Sequence, residues 1–426
     1  MTRTLDETLT EIRQSNLTRI RLGHCDVRGG LRVALVAPDL FRQVAQHGAD
    51  ALPGEPAATA GDRLHVDLAT FTRVPGEPGT ALALCWRRAA DGTGHPGCPR
   101  STLARVAGRA REAGFLPVLA TGLAFHVFRL PLAEARARRW RDLPPLHGGG
   151  AAGAWSAAGE AETFLHALHE SARGLGLPVD SLATGAAPGR LEAALRPQPV
   201  LEAADQALLF KATVHDVAAR LGLCATFMAR PSTALPRAHA QLNLALWDLS
   251  QTENLFMGPG SRPTPLADAF AAGIADYLGA AAAFLLPTSN SYGWTAAELD
   301  GAAVDFALPA PGAAVGGHHG VRVAPGASDL DPYLGAAAAL GLGLHGVERR
   351  SEAPHATARD HAWTRRAIDL PATWDEALGR LRLSPVARHA LGNATVEAYL
   401  AACRDELEAQ RLEVSDVELA RLFDAG

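Results

Sequence analysis

Lysine is nearly absent: Lys211 is the only one in 426 residues, and arginine supplies the other basic side chains. With abundant Ala and Gly, this reads as the codon bias of a high-GC bacterium and carries no mechanism. Cysteine is sparse as well. Cys25, Cys85, Cys98, Cys224 and Cys403 lie far apart. No CxxC pair exists, which excludes a zinc-ribbon or dithiol redox signature. An odd, scattered set of thiols fits a reducing cytoplasm. No run of about 18 apolar residues is free of charge, so no membrane span is expected. The opening MTRTLDETLTEIRQ carries acids and lacks an apolar h-region, so it reads as an amphipathic helix and not as a signal peptide. Basic runs with interleaved aromatics are missing and the net charge is −5, which leaves nucleic-acid binding without support.

What is present is enough apolar material, 48% of the chain, for a large core. Residues 4–16 have a helical pattern. Thr18, Ile20 and Leu22 then alternate, a turn follows at Val27–Gly30, and Leu31–Val36 alternates again, which predicts a hairpin. Leu64–Phe71 and Ala81–Trp86 are further strands, and 52–62 is a Pro/Gly loop. A Gly/Pro-rich boundary at Gly92–Arg100 separates this unit, residues 1–100, from a second unit, 101–426. There Ser101 caps a helix that ends at Gly114. A strand is expected over 116–128 and a flexible loop over 143–160. Helices are expected at 161–175, 202–222, 266–282 and 333–343. Strands alternate with them at 190–196, 223–228, 239–247 and 320–324. A helical tail covers 372–425.

Several segments in order resemble the glutamine synthetase family. They are PGRLEAAL (Pro188–Leu195), EAADQALLFKATVHDVAARLGLCATFMARP (Glu202–Pro231), WDLSQTENLF (Trp247–Phe256), LLPTSNSYGW (Leu285–Trp294) and DPYLGAAAALGLGLHGVE (Asp331–Glu348). The tail segments LPATWDEALGRL and VSDVELARLF resemble its C-terminal helices, and CDVRGGLRVALVAP its first domain. The resemblance implies an α+β fold: an N-terminal β-grasp domain, then a catalytic domain with a curved antiparallel sheet flanked by helices. It also implies a small-molecule substrate, an amino acid or amine, and subunits that self-associate into a ring.

The family holds magnesium ions on carboxylates and one histidine to offset the charge of ATP. At the matching positions this sequence differs. The glutamate-x-glutamate strand reads Gly122–Leu123–Ala124, with His126 two residues on. Gly185 stands at the next ligand, and Glu192 survives. The histidine-x-histidine strand reads Gln241–Leu242–Asn243, preceded by Arg237–Ala238–His239. Gly316–Gly317 replace asparagine-arginine, Arg322 matches a family arginine, and the glutamate-x-arginine segment is missing. Mg-ATP binding is therefore not expected.

Period-2 alternation puts His126 on the face of the vanished glutamates and His239 on the face of Gln241 and Asn243. His318 shares a face with Arg322, and His319 lies beside it. Imidazoles in place of carboxylates suit a transition metal or haem iron better than magnesium, or serve as acid and base near neutral pH. The candidate catalytic residues are His126, His239 and Arg322. The candidate metal ligands are Glu192, His126 and His239, and His318 and His319 are candidate cofactor contacts. Lys211 reads as a helix-face lysine with a structural partner, and Asn290 and Tyr292 as fold-supporting. Three readings stay open: a repurposed enzyme acting on a small amine or amino acid without Mg-ATP chemistry, a pseudoenzyme that binds a ligand or partner, and a residual glutamate–amine ligase.

Overall fold

The computed structural model describes residues 3–50, 61–293, 303–307, 319–352 and 369–423. Helix α1 (Leu5–Gln14) starts on a capping box in which Thr4 and Glu7 satisfy each other's backbone N–H. Strands β1 (Arg19–Cys25) and β2 (Leu31–Val36) form the expected hairpin. Its turn is held by Asp26, whose carboxylate accepts from the N–H groups of Arg28 and Gly30, both at 3.0 Å. Then come α2 (Pro38–His47), β3 (Ala49–Asp50), β4 (Arg63–Val66), β5 (Thr72–Arg73) and β6 (Thr80–Arg88). The sheet order is β2-β1-β6-β4-β3, with β5 beside β6. The β1–β6 pair is parallel and the others are antiparallel. The strand expected over Leu64–Phe71 stops at Val66, because the Asp67 carboxylate caps a tight turn over Leu68–Thr70.

The next stretch holds α3 (Pro99–Glu112), β7 (Phe115–Phe128), α4 (Leu132–Ala137), α5 (Trp155–Gly174), β8 (Val179–Thr184), β9 (Arg190–Pro199), α6 (Val200–Arg220), β10 (Cys224–Thr226) and β11 (His239–Asp248). After these come α7 (Pro265–Leu285), β12 (Ala303–Ala307), β13 (Gly320–Ala327) and α8 (Pro332–Glu352). The tail carries α9 (Trp374–Leu383), α10 (Pro385–Leu391), α11 (Asn393–Leu412) and α12 (Asp416–Leu422). The loop expected over 143–160 ends sooner, since α5 already starts at Trp155. Its alanines favour helix more than the single intervening Gly159 opposes it. The strand β8 was not apparent in the sequence. The loop predicted at 52–62 lies outside the described residues except for Gly61 and Asp62.

The second sheet runs β12-β13-β11-β7-β9-β8 with β10 on β7, and every pair is antiparallel. The class is therefore α+β, as expected. One face of this sheet is core: Leu123, Phe125, Val127, Leu191, Ala193, Leu195, Leu242 and Leu244 join Phe164 of α5 and Phe210 of α6. Phe125 meets the rings of Phe164, Phe210 and Phe227 at 6.5, 6.3 and 5.2 Å. Helix α7 is long and apolar enough to cross a membrane by length and composition, but most of it is buried in this core. It approaches α8 so closely that a Cβ on Gly273 would stand 2.5 Å from the Leu342 carbonyl oxygen.

A buried polar cluster ties the first sheet to the second. Arg100 of α3 grips Asp205 of α6 with two bonds of 2.7 Å and donates to Asp67 at 2.8 Å. The Tyr333 hydroxyl of α8 donates to the same Asp205 at 2.7 Å. The Trp86 ring of β6 covers the guanidinium, with its centroid 3.8 Å from Cζ.

Candidate functional site

The opposite face of the second sheet carries the polar side chains. Cross-strand partners point to the same side of a sheet, so register decides which residues meet. His126 stands opposite Arg190, Ala124 opposite Glu192 and Gly122 opposite Ala194. On the other flank of β7, Gln241 faces Gly122 and Asn243 faces Ala120. Asn243 in turn faces Arg322 of β13, which faces Asp305 of β12. His126, Arg190, Glu192, His239, Gln241, Asn243 and Arg322 therefore occupy one face, while the alternate residues fill the core.

Arg190 is the hub. Its Nε donates to Glu192 Oε1 at 3.1 Å, and its Nη2 lies 3.0 Å from the same oxygen. Nη1 donates to the Arg237 carbonyl at 3.1 Å. Nη2 also reaches His239 Nε2 at 3.2 Å. Glu192 and His239, both candidate metal ligands, are thus bound to a resident cation. The sequence reading passed over Arg190. Its signal was its spacing: two residues before Glu192 on a strand, so on the same face.

His126 is fully buried on β7, and neither ring nitrogen has a hydrogen-bond partner among the described residues. Burial pushes its pKa down to about 4, with further lowering from Arg190 and then His147. Its ring stacks on Phe128 at 6.5 Å. His147, also fully buried, bonds the Arg190 carbonyl through Nε2 at 2.8 Å and accepts from the Gly149 N–H through Nδ1 at 3.2 Å. His239 is held below the ordinary imidazole range by burial and then by Arg190, against a smaller opposing pull from Glu192. Both candidate imidazoles are therefore neutral near pH 7.

The other candidates divide. Arg322 is half-buried and forms a two-pronged pair with Asp305, with Nε to Oδ1 at 2.7 Å and Nη2 to Oδ2. His318 lies outside the described residues. His319 precedes β13, stacks on Phe306 at 6.4 Å and gives its carbonyl to Asn254. Phe306 pairs with Val321, on the opposite parity from Arg322, so alternation carries His319 away from the Arg190 face.

Three further residues have support roles. Lys211 donates to the Leu330 carbonyl at 2.9 Å. Asn290 closes on the backbone N–H and carbonyl of Arg230 at 2.7 and 3.0 Å. The Tyr292 hydroxyl donates to the Leu286 carbonyl at 2.8 Å. Arg237, beside His239, donates to the carbonyls of Asn290 and Gly293, both at 2.9 Å, and to that of Tyr292.

Comparison with known proteins places this architecture. The family model for the glutamine synthetase catalytic domain matches residues 96–298 and 314–422. The chain is similar to a glutamate–isopropylamine ligase from Pseudomonas sp., 27% identical over 97% of this chain and 96% of that one. It is similar to the γ-glutamylethanolamide synthetase GlnA4 of Streptomyces coelicolor, 30% identical over 85% of this chain and 79% of the other. A solved structure of a GmaS/ADP complex superimposes over the full length of both chains with a TM-score of 0.83 at 21% identity, a likeness of fold. The chain belongs to the glutamine synthetase family.

Proposed function

We propose that this chain binds and transforms a small amine or amino acid in a site where the Arg190 guanidinium takes the place of a divalent ion. The observation that carries this reading is the contact of Arg190 with Glu192 and His239. Magnesium demands near-octahedral oxygen ligation, usually with carboxylates. On the polar face, positions 122, 124, 192, 241 and 243 offer Gly, Ala, Glu, Gln and Asn, and position 185 offers Gly. The single carboxylate in that set already balances a guanidinium. These residues do not fit a magnesium cluster. The same argument weighs against a metal or haem iron on His126 and His239. A cation there would meet the fixed charge of Arg190, and His239 Nε2 would have to give up its contact with that arginine.

An arginine can do part of what a metal does, since a fixed positive charge aimed at developing negative charge stabilises it. Arg190 holds Oε1 of the partly exposed Glu192, and among the described residues none bonds its Oε2, which can accept from a substrate ammonium. The neutral imidazole of His239 lies next to it. The relatives named for isopropylamine and ethanolamine make a small amine the first substrate class to try. Ring self-association, with one subunit closing the site of the next, belongs to the same reading.

Calorimetric titration of the purified protein with short alkylamines, amino alcohols and amino acids tests this, each with and without magnesium and ATP. Binding that needs neither magnesium nor ATP is expected, together with no amine-dependent release of phosphate. Phosphate release within about tenfold of an ordinary ligase would overturn the reading and restore glutamate–amine ligation. Binding with no turnover of any bound amine would assign the pseudoenzyme instead.

A further inference from the structure

Away from the Arg190 face, three potential ligands meet where α8, α10 and α3 come together. His345 and Glu348 are three residues apart on α8 and so share one side of the helix. His389 comes from α10. One ligand atom from each lies within 4.8 Å of the other two. Glu348 Oε2 is the common point, 3.1 Å from His389 Nε2 and 3.9 Å from His345 Nδ1. Nitrogen and oxygen ligands about 2.0–2.2 Å from a tetrahedral zinc ion lie roughly 3.3–3.5 Å from each other. Two of the observed separations bracket that value and the third lies within 4.8 Å, so closure on an ion needs the two imidazoles to approach each other by up to about 1.5 Å.

We propose that His345, Glu348 and His389 form a divalent-metal site of the zinc class, with water in the fourth position. The donor set is two imidazoles and one carboxylate, the borderline mixture that suits zinc over magnesium or calcium. The surroundings pre-orient it. Arg109 of α3 donates through Nη2 to Glu348 Oε1 at 3.0 Å, which leaves Oε2 turned to the histidines. The same guanidinium donates through Nη1 to the carbonyls of His389 and Ala390, both at 3.1 Å, and so fixes the end of α10. The Tyr277 ring lies edge-on to the His345 ring at 5.4 Å and limits its rotation. Such outer contacts set ligand orientation in metal sites. Arg109 Nη2 also stands 3.3 Å from His389 Nε2 and must release that nitrogen to the ion. Its charge opposes the metal, so it should weaken the site as well as orient it. A bound ion would staple α8 to α10, and its occupancy does not depend on the reading of the Arg190 face.

The test is zinc titration of the full-length protein by calorimetry, with metal counted after gel filtration. Wild type is expected to retain one equivalent, and zinc to raise its Tm. His345→Ala, His389→Gln and Glu348→Gln should each weaken binding by at least about tenfold, and His345→Ala/His389→Gln should abolish it. Arg109→Gln separates a metal site from a plain ion-pair cluster: the glutamine amide can still donate to Glu348 while the opposing charge is gone, so this variant should bind zinc as tightly as wild type or more tightly. His389 is 55% exposed, so His389→Gln leaves the fold intact, as far-UV circular dichroism without zinc should confirm. Wild type that retains no zinc at equimolar metal, or a double variant that retains as much as wild type, overturns the proposal.

Discussion

A Cβ on Gly185 would stand 2.9 Å from both Cγ and Cδ of Arg190. The glycine leaves the room that the arginine stem fills, and the arginine brings the charge that Glu192 balances. The two positions should therefore be coupled. Gly185→Glu is expected to destabilise the protein by about 1–3 kcal/mol through overpacking. Arg190→Gln is expected to do so by a similar amount, because Glu192 and the Arg237 carbonyl lose their donors. Combined, the changes should cost less than their sum by about 0.5–3 kcal/mol, since each relieves the other. Urea unfolding of the four proteins measures this, and strict additivity would show that the residues do not share that space.

The pH dependence of stability should report His126. Its pKa is about 4 in the folded protein and about 6.5 when unfolded, so only the unfolded chain takes a proton between these values. The contribution is complete above about pH 6.5, falls as the pH drops through that window and levels off below about 4, with a total of up to about 3 kcal/mol. His239 and His215, also lowered chiefly by burial, add slope of the same sign. His126→Phe removes two unpaired ring nitrogens and should flatten the curve without loss of stability at pH 7. Equal slopes for both proteins in urea melts between pH 4 and 7 would contradict the buried neutral imidazole.

Ordered segments made the fold legible, whereas the chemistry of the site was only half legible. Strands were expected where β7, β9 and β11 lie, and alternation put His126 on the face of the vanished glutamates and His239 on that of Gln241 and Asn243, while Glu192 came from the family resemblance. Two things escaped. Register between strands is not written locally, so the meeting of Arg190 of β9 with His239 of β11 could not be read from either strand alone, although the two-residue spacing to Glu192 within β9 could. Arg190 was also screened by its neighbours: inside PGRLEAAL it looked like one departure from a family pattern, while the losses at 122, 124 and 241 drew attention to absent metal. Asp305 was hidden in the same way, and its pairing with Arg322 changes the arginine from a free charge to a neutralised one. His345, Glu348 and His389 were invisible because the third ligand comes from a separate helix.

The Arg100–Asp205 pair should hold the two sheets together. Both groups are buried, so loss of the arginine leaves Asp205 without its countercharge, and loss of Asp205 leaves the buried guanidinium with Asp67 alone. Arg100→Ala and Asp205→Ala are each expected to destabilise by about 3–5 kcal/mol. Tyr333→Phe removes one neutral donor to that carboxylate and should cost about 1–2 kcal/mol. Chemical denaturation gives all three values. A loss below about 1 kcal/mol for Arg100→Ala would mean that the pair only offsets its own desolvation.

The first sheet ends on an exposed apolar edge, and that edge should meet another subunit. β2 is the terminal strand in the order, and an unpaired edge invites pairing unless it is covered or charged. Leu35 is 66% exposed and Val33 41%. With Leu31 on the same side of the strand, they border a groove completed by Leu82, Leu175 and Leu209. A ring places one surface of each subunit against a different surface of the next, so a single substitution on β2 should affect every interface at once. Burying a leucine of this size is worth about 1.5–3 kcal/mol, and a buried glutamate in its place adds a desolvation penalty. Leu35→Glu should therefore lower the assembly mass in multi-angle light scattering while circular dichroism stays unchanged. Arg21 and Asp216 lie along the same groove, and Arg21→Ala should shift assembly less, because the Arg21 charge is already paired with Glu77 and ion pairs near a surface contribute little. A wild-type protein that scatters as a monomer at micromolar concentration would remove the ring. An oligomer indifferent to Leu35→Glu would move the interface to another face of the molecule.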